Sequence, residues 1–151
     1  MKISPVLRLS AVTILLAAGL SGCTSTVSLE PAADANDPAC ADVMVRLPDT
    51  ASQLTRRDTN AQSTAAWGNP TSVIFRCGLP EVTASTLPCV TTSDVDWLVD
   101  ESQKPKYRFI TFARKPAIEV IVDSEKATGV STLDDLASAI QAIEPTKNCV
   151  G

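Results

Sequence analysis

Arg108-Phe109-Ile110-Thr111-Phe112-Ala113-Arg114-Lys115-Pro116-Ala117-Ile118-Glu119-Val120-Ile121-Val122 is the stretch on which the fold class turns. Residues 108–113 are rich in β-branched and aromatic side chains. Residues 117–122 alternate, with Ile118, Val120 and Val122 on one face and Glu119 and Ile121 on the other. A period of two is the pattern of strands. Lys115-Pro116 is too short to hold more than a turn, so the two strands are predicted to pair antiparallel.

Working outward, residues 71–77 (Thr71-Ser72-Val73-Ile74-Phe75-Arg76-Cys77) read as another strand, bounded by Gly68-Asn69-Pro70 and by Gly78. Residues 89–92 and 95–99 are shorter strand candidates. Ahead of the strands, Asp37-Pro38 supplies a capping side chain and a proline suited to the first helical position. Cys40, Val43, Met44 and Leu47 then fall on one helical face, and Pro48 stops the helix. At the other end, Ser131-Thr132-Leu133-Asp134 resembles a capping box with Asp for the usual Glu. It opens a stripe of Leu133, Leu136, Ala137, Ile140 and Ile143, which ends before Pro145. Helix, strands, helix, without βαβ alternation, predicts a single α+β domain over residues 38–151. Its antiparallel sheet of about four to five strands would carry both helices on one face.

The amino terminus predicts export. Lys2 and Arg8 precede an apolar run over residues 9–20, shorter than the roughly 20 residues that span a bilayer, so residues 1–22 read as a signal peptide. Leu20-Ser21-Gly22-Cys23 resembles the lipobox of bacterial lipoproteins, with Cys23 as the residue that takes the diacylglycerol. Two long acyl chains, at about 0.8 kcal/mol for each buried CH₂, make a lasting anchor. The expected address is the extracytoplasmic face of the cell membrane. Residues 23–37 hold almost no large apolar side chain and are expected to be a flexible tether.

Loss of Lys2 and Arg8 with the signal leaves 11 of the 13 basic residues against 17 acidic ones, a net charge of six negative. Such a surface disfavours nucleic acid as a partner. Cys40, Cys77, Cys89 and Cys149 remain after Cys23, and four cysteines in an exported chain read as two disulfides. Spacing allows three pairings; Cys77 with Cys89 and Cys40 with Cys149 is the preferred one, the first closing a Pro-rich loop and the second tying the domain's ends. Without histidine or a CxxC pair, no metal or cofactor is expected.

The absence of histidine also removes Ser-His and Cys-His nucleophile pairs, and no catalytic residue is assigned. Asp94, Asp96, Asp100 and Glu101 are the densest carboxylates. They read first as the solvated face of a strand whose Val95, Trp97 and Val99 turn inward, and second as an acid and base pair. Only 4% of residues are aromatic, so Trp67 and Trp97 stand out, either as core anchors or as stacking platforms. Arg76 and Arg114, at or just beyond strand ends, would either grip an anionic group or make surface ion pairs.

Trp67-Gly68-Asn69-Pro70, Val73-Ile74-Phe75-Arg76-Cys77-Gly78, Cys89, Val95-Asp96-Trp97 and residues 109–116 with Arg114 together resemble a family of small secreted or lipid-anchored actinobacterial proteins carrying a domain of unknown function. The resemblance spans residues 40–143. It implies residence in the cell envelope and no assigned activity. Two functional classes follow. One is a non-catalytic binding module that meets an envelope protein or wall component through Trp97, Arg76 and Arg114, with Trp67 and Asp96 as further candidates. The other is a small hydrolase or transferase acting on a wall component through Asp96 with Asp94 or Glu101.

Overall fold

A computed structural model describes residues 25–149. Its elements are α1 (Pro38–Met44), β1 (Thr50–Ala51), β2 (Leu54–Arg57), β3 (Thr64–Trp67), β4 (Val73–Leu79), β5 (Cys89–Thr92), β6 (Val95–Gln103), β7 (Lys106–Thr111), β8 (Ala117–Asp123) and α2 (Gly129–Ile140). The predicted pair forms: β7 and β8 are antiparallel, with Phe109 opposite Val120. They sit inside a sheet of eight strands ordered β1-β2-β3-β4-β8-β7-β6-β5, every neighbouring pair antiparallel.

Eight strands replace the four to five expected. The additional ones, β1, β2 and β3, lie in residues 50–67, where the periodic signal is weak. Leu54-Thr55-Arg56-Arg57 has one apolar residue, and Thr64-Ala65-Ala66-Trp67 places alanine on both faces. Their strand character comes from pairing onto β4, not from their own composition.

The core lies between the helices and the inner sheet face. Val73, Phe75 and Cys77 of β4, Ile118, Val120 and Val122 of β8, and Val95, Trp97 and Val99 of β6 meet Cys40 and Val43 of α1 and Leu133, Leu136, Ala137 and Ile140 of α2. On the opposite face a smaller cluster of Leu98, Ile110, Phe112, Ala113 and Ala117 is covered by Leu79, Val82, Leu87 and Cys149. Both faces of the sheet's middle strands therefore carry apolar clusters.

The helix ends differ in how they follow the sequence. Asp37 caps α1 as expected, its carboxylate accepting from the Ala39 N–H at 2.8 Å, with Pro38 leading the first turn. The capping box at Ser131 does not form. The helix starts three residues earlier, at Gly129, with Thr128 rather than Ser131 in the N-cap position and no side-chain cap bond. Gly129 packs so close to Phe109 that an added Cβ would stand 3.0 Å from the ring.

The disulfides join Cys40 to Cys77 and Cys89 to Cys149, with Cα separations of 5.6 and 6.4 Å. Two disulfides were expected, but not this pairing. Cys40 lies on the inward face of α1 and Cys77 on the inward face of β4, whereas Cys89 faces the other side of the sheet, where the carboxyl-terminal segment lies. Alternation along the strands separates Cys77 from Cys89 across the sheet, and no local spacing reports that.

Residues 1–22, expected as a signal peptide, and Cys23 lie outside the described residues. Residues 25–37, expected as a flexible tether, instead run along the domain. Val27 forms a parallel bridge to Thr59, the Leu29 N–H donates to Asn60 Oδ1 at 2.9 Å, and the Asp34 N–H donates to the Gly78 carbonyl at 2.9 Å. Ala35 is buried, and its carbonyl accepts from Ser63 Oγ. Backbone hydrogen bonds to the sheet's margin hold this segment, so its polar composition misleads.

Candidate functional site

The side chains singled out in the sequence do not form one surface. Trp67 and Trp97 are both fully buried on the inner face. Trp67 donates its Nε1–H to the Pro48 carbonyl at 3.2 Å, and Trp97 meets Phe109 edge-on at 6.5 Å between ring centroids. Both are core anchors. Arg76 lies on the outer face, where it pairs with Glu119. Arg114 is 2% exposed and donates to the carbonyls of Ile143 and Asp94, closing the chain that leaves α2. Burial presses its pKa below the ordinary value, against the opposing pull of Glu144 and Asp96. The proposed contact patch of Trp97, Arg76 and Arg114 is therefore divided among the core, the outer face and a helix end.

The carboxylates are divided as well. Asp94 sits in the two-residue turn between β5 and β6, where Ser93 and Asp94 both take the positive φ that such a hairpin requires. Asp96 points to the outer face; its oxygens accept from Thr91 Oγ1 and from the Cys149 N–H at 2.8 Å. Glu101 is on the inner side and pairs with Lys104 at 2.6 Å. A shared cleft is what an acid and base pair needs, and these three carboxylates have none in common. Among the described residues no three Asp, Glu, Cys or His side chains stand close enough to hold a metal ion.

What the fold does build is an apolar groove of about 540 Å³ on the inner face, at the end of the sheet where α2 begins. Each of four strands contributes one apolar inward residue and α2 two: Val90 from β5, Val99 from β6, Phe109 from β7, Val122 from β8, and Val130 and Leu133 from α2. Its polar rim consists of Thr91, Thr92, Glu101, Tyr107 and Ser124. β6 and β7 run on toward their turn at residues 104–105, and beyond the buried Val99 and Phe109 the groove residues Glu101 and Tyr107 are left partly or fully exposed.

Val90 is 43% exposed and Val130 68% exposed, the two mouth residues of the groove. Val130 stands three residues ahead of Leu133 on α2, yet it remains exposed. At the rim Lys104 lies over the Tyr107 ring at 5.6 Å. The hydrogen bond to Glu101, more than any other neighbour, raises its pKa, so it remains a cation. A volume of this order with apolar walls and a few polar groups at the rim is the usual form of a ligand-binding cleft.

Against these observations the sequence profile of one protein family matches residues 5–149. The chain belongs to the family described as protein of unknown function DUF3515. No curated protein and no solved structure matches it. The match covers the whole described DUF3515 domain, groove included. The expected resemblance to a family with a domain of unknown function is met by this match.

Apart from Glu101, the groove residues escaped the sequence reading of function. Val99, Phe109, Val122 and Leu133 have the same periodicity as the core residues beside them. They are core residues whose outer atoms form the groove floor, and only the exposed Val90 and Val130 stand apart from the core.

Proposed function

We propose that this DUF3515 chain is an exported lipoprotein of an actinobacterial envelope, held at the outer face of the cytoplasmic membrane by a lipid on Cys23. Its domain acts there as a non-catalytic binding module. The arrangement Lys2, Arg8, an apolar run and Leu20-Ser21-Gly22-Cys23 supports the address, and so does the engagement of Cys40, Cys77, Cys89 and Cys149 in disulfides, which persist in oxidising compartments. The groove beneath the amino-terminal turn of α2 carries the binding reading, and it moves the contact surface from the buried tryptophans to Val90 and Val130.

Two experiments in intact cells test this. Labelled palmitate should enter the wild-type chain and not Cys23→Ser. A photoreactive phenylalanine analogue at position 90 or 130 should give a defined adduct, while the same group at Val45, an exposed apolar residue of 83% exposure beyond α1, should not. Equal labelling of Cys23→Ser would refute the anchor. Adducts absent at both mouth positions, or equal at position 45, would refute the groove.

A further inference from the structure

The open edge of the sheet decides what reaches the groove. β5 is the terminal strand at one end and β1 at the other. β1 has two residues and lies against α2, so that edge is blunt. β5 has four residues, three of them exposed, and no proline or lysine protects it.

The phase of its hydrogen bonding follows from one contact. The Val99 N–H donates to the Pro88 carbonyl at 2.9 Å. Antiparallel ladders alternate, so Val90 and Thr92 direct their backbone groups to β6, and Cys89 and Thr91 direct theirs outward. Two N–H and two C=O groups thus face solvent along an edge whose inward side chain, Val90, lines the groove.

Charge and position select the occupant. Residues 89–103, the β5–β6 hairpin, contain Asp94, Asp96, Asp100 and Glu101 and no basic residue. Glu101 pairs with Lys104 and Asp100 faces Arg108, so edge-to-edge pairing of two copies would bring Asp94 and Asp96 of each around one axis, which opposes a second copy. The anchor opposes a lipid. Ser25 Oγ accepts from Arg57 of β2 at 3.1 Å, and only Thr24 separates it from Cys23, a reach of about 7 Å. From β2 to β5 there are six strand spacings, roughly 29 Å. The β5 edge is therefore the end of the domain away from the tethered one.

We propose that the free edge of β5 receives an extended strand from a cationic polypeptide. Its outward N–H and C=O groups pair with Cys89 and Thr91, and its alternate apolar side chains enter the groove beside Val90. Residues of the added strand opposite Cys89 and Thr91 share their outer face, near Asp96, and suit lysine or arginine. The residues between them fall on the inner face and suit valine or isoleucine. This rests on the groove reading above and adds the class of partner and its mode of binding.

The test uses full-length protein in neutral phosphatidylcholine nanodiscs and a fluorescein-labelled octapeptide of alternating lysine and valine, read by anisotropy. Binding should weaken at least tenfold when the lysine backbone nitrogens of the peptide are methylated, when glutamate replaces lysine, and when the protein carries Thr91→Pro. That proline removes the outward N–H together with the hydroxyl that donates to Asp96, so Thr91→Val, which loses the hydroxyl alone, should bind like the wild type; a melting curve checks the fold of the proline variant, and if it fails to fold, the methylated peptide still decides. Equal binding of the methylated peptide, or no binding of the unmodified one, would overturn strand addition. The groove reading would then stand or fall separately on the adducts at positions 90 and 130. Self-association of the wild type that Thr91→Pro abolishes would overturn the proposal in favour of a second copy.

Discussion

Arg76 of β4 stands directly opposite Glu119 of β8 on the outer face, and Glu119, 1% exposed, accepts from Arg76 Nε at 2.6 Å and from Arg108 of β7 on its other side. A buried carboxylate thus joins three neighbouring strands. Arg108 in turn faces Asp100 of β6 in register, so charges alternate across four strands.

Glu119→Leu should destabilise the fold by about 3 kcal/mol, the low end for breaking a buried pair because both arginines reach solvent. Replacing all three residues together, with Arg76→Met and Arg108→Met, should recover part of that loss. Urea unfolding midpoints of the single and triple variants check it; an equal or larger loss in the triple variant would contradict the account.

Both tryptophans are buried, so fluorescence emission should be blue-shifted and iodide should quench it no more than a few per cent as well as it quenches free tryptophan, an order-of-magnitude expectation from full burial. Trp97→Ala should cost about 3–5 kcal/mol and Trp97→Phe less, since the phenyl ring fills part of the cavity against Phe109.

A peptide map of unreduced protein should show Cys40 linked to Cys77 and Cys89 linked to Cys149. Cys40 and Cys77 are inaccessible while Cys89 is exposed, so a mild reductant should open the Cys89 bridge first. Removing either bridge by paired alanine substitution should lower stability by about 4 kcal/mol in the chain-entropy model.

Asp134 of α2 accepts hydrogen bonds from Thr92 and Ser93 Oγ at 2.6 and 2.7 Å, and these hold its pKa below the ordinary carboxylate value, Thr92 contributing most. A depressed folded-state pKa gives stability that is complete above the unfolded value, near 3.8, and lost as pH falls through the folded one. Asp134→Asn should therefore flatten the acid limb of stability against pH below about 4. An unchanged limb would count against the hydrogen bonds.

Gly78 has φ of +108°, and an added Cβ would stand 2.5 Å from the backbone at Asp34 and Ala35. Gly78→Ala should cost about 2–4 kcal/mol through left-handed strain and overpacking. It should also release residues 25–37 from the domain, seen as new cleavage in that segment under limited proteolysis.

The sequence by itself determined the strands and helices whose side chains alternate strongly: β4, β7, β8, the capped α1 and the stripe of α2. It determined that the four cysteines would be oxidised together, because their number is even and no metal-binding spacing competes. In these segments local pattern and burial agree. The tertiary structure alone decided the rest. β1 to β3 are strands because β4 offers them an edge, Cys40 meets Cys77 because both face inward, and residues 25–37 are docked because backbone groups find partners that composition does not record. It also decided the groove. Val90 and Val130 carry the same local signal as any core valine, and only their place at the end of the sheet and the start of α2 leaves them uncovered.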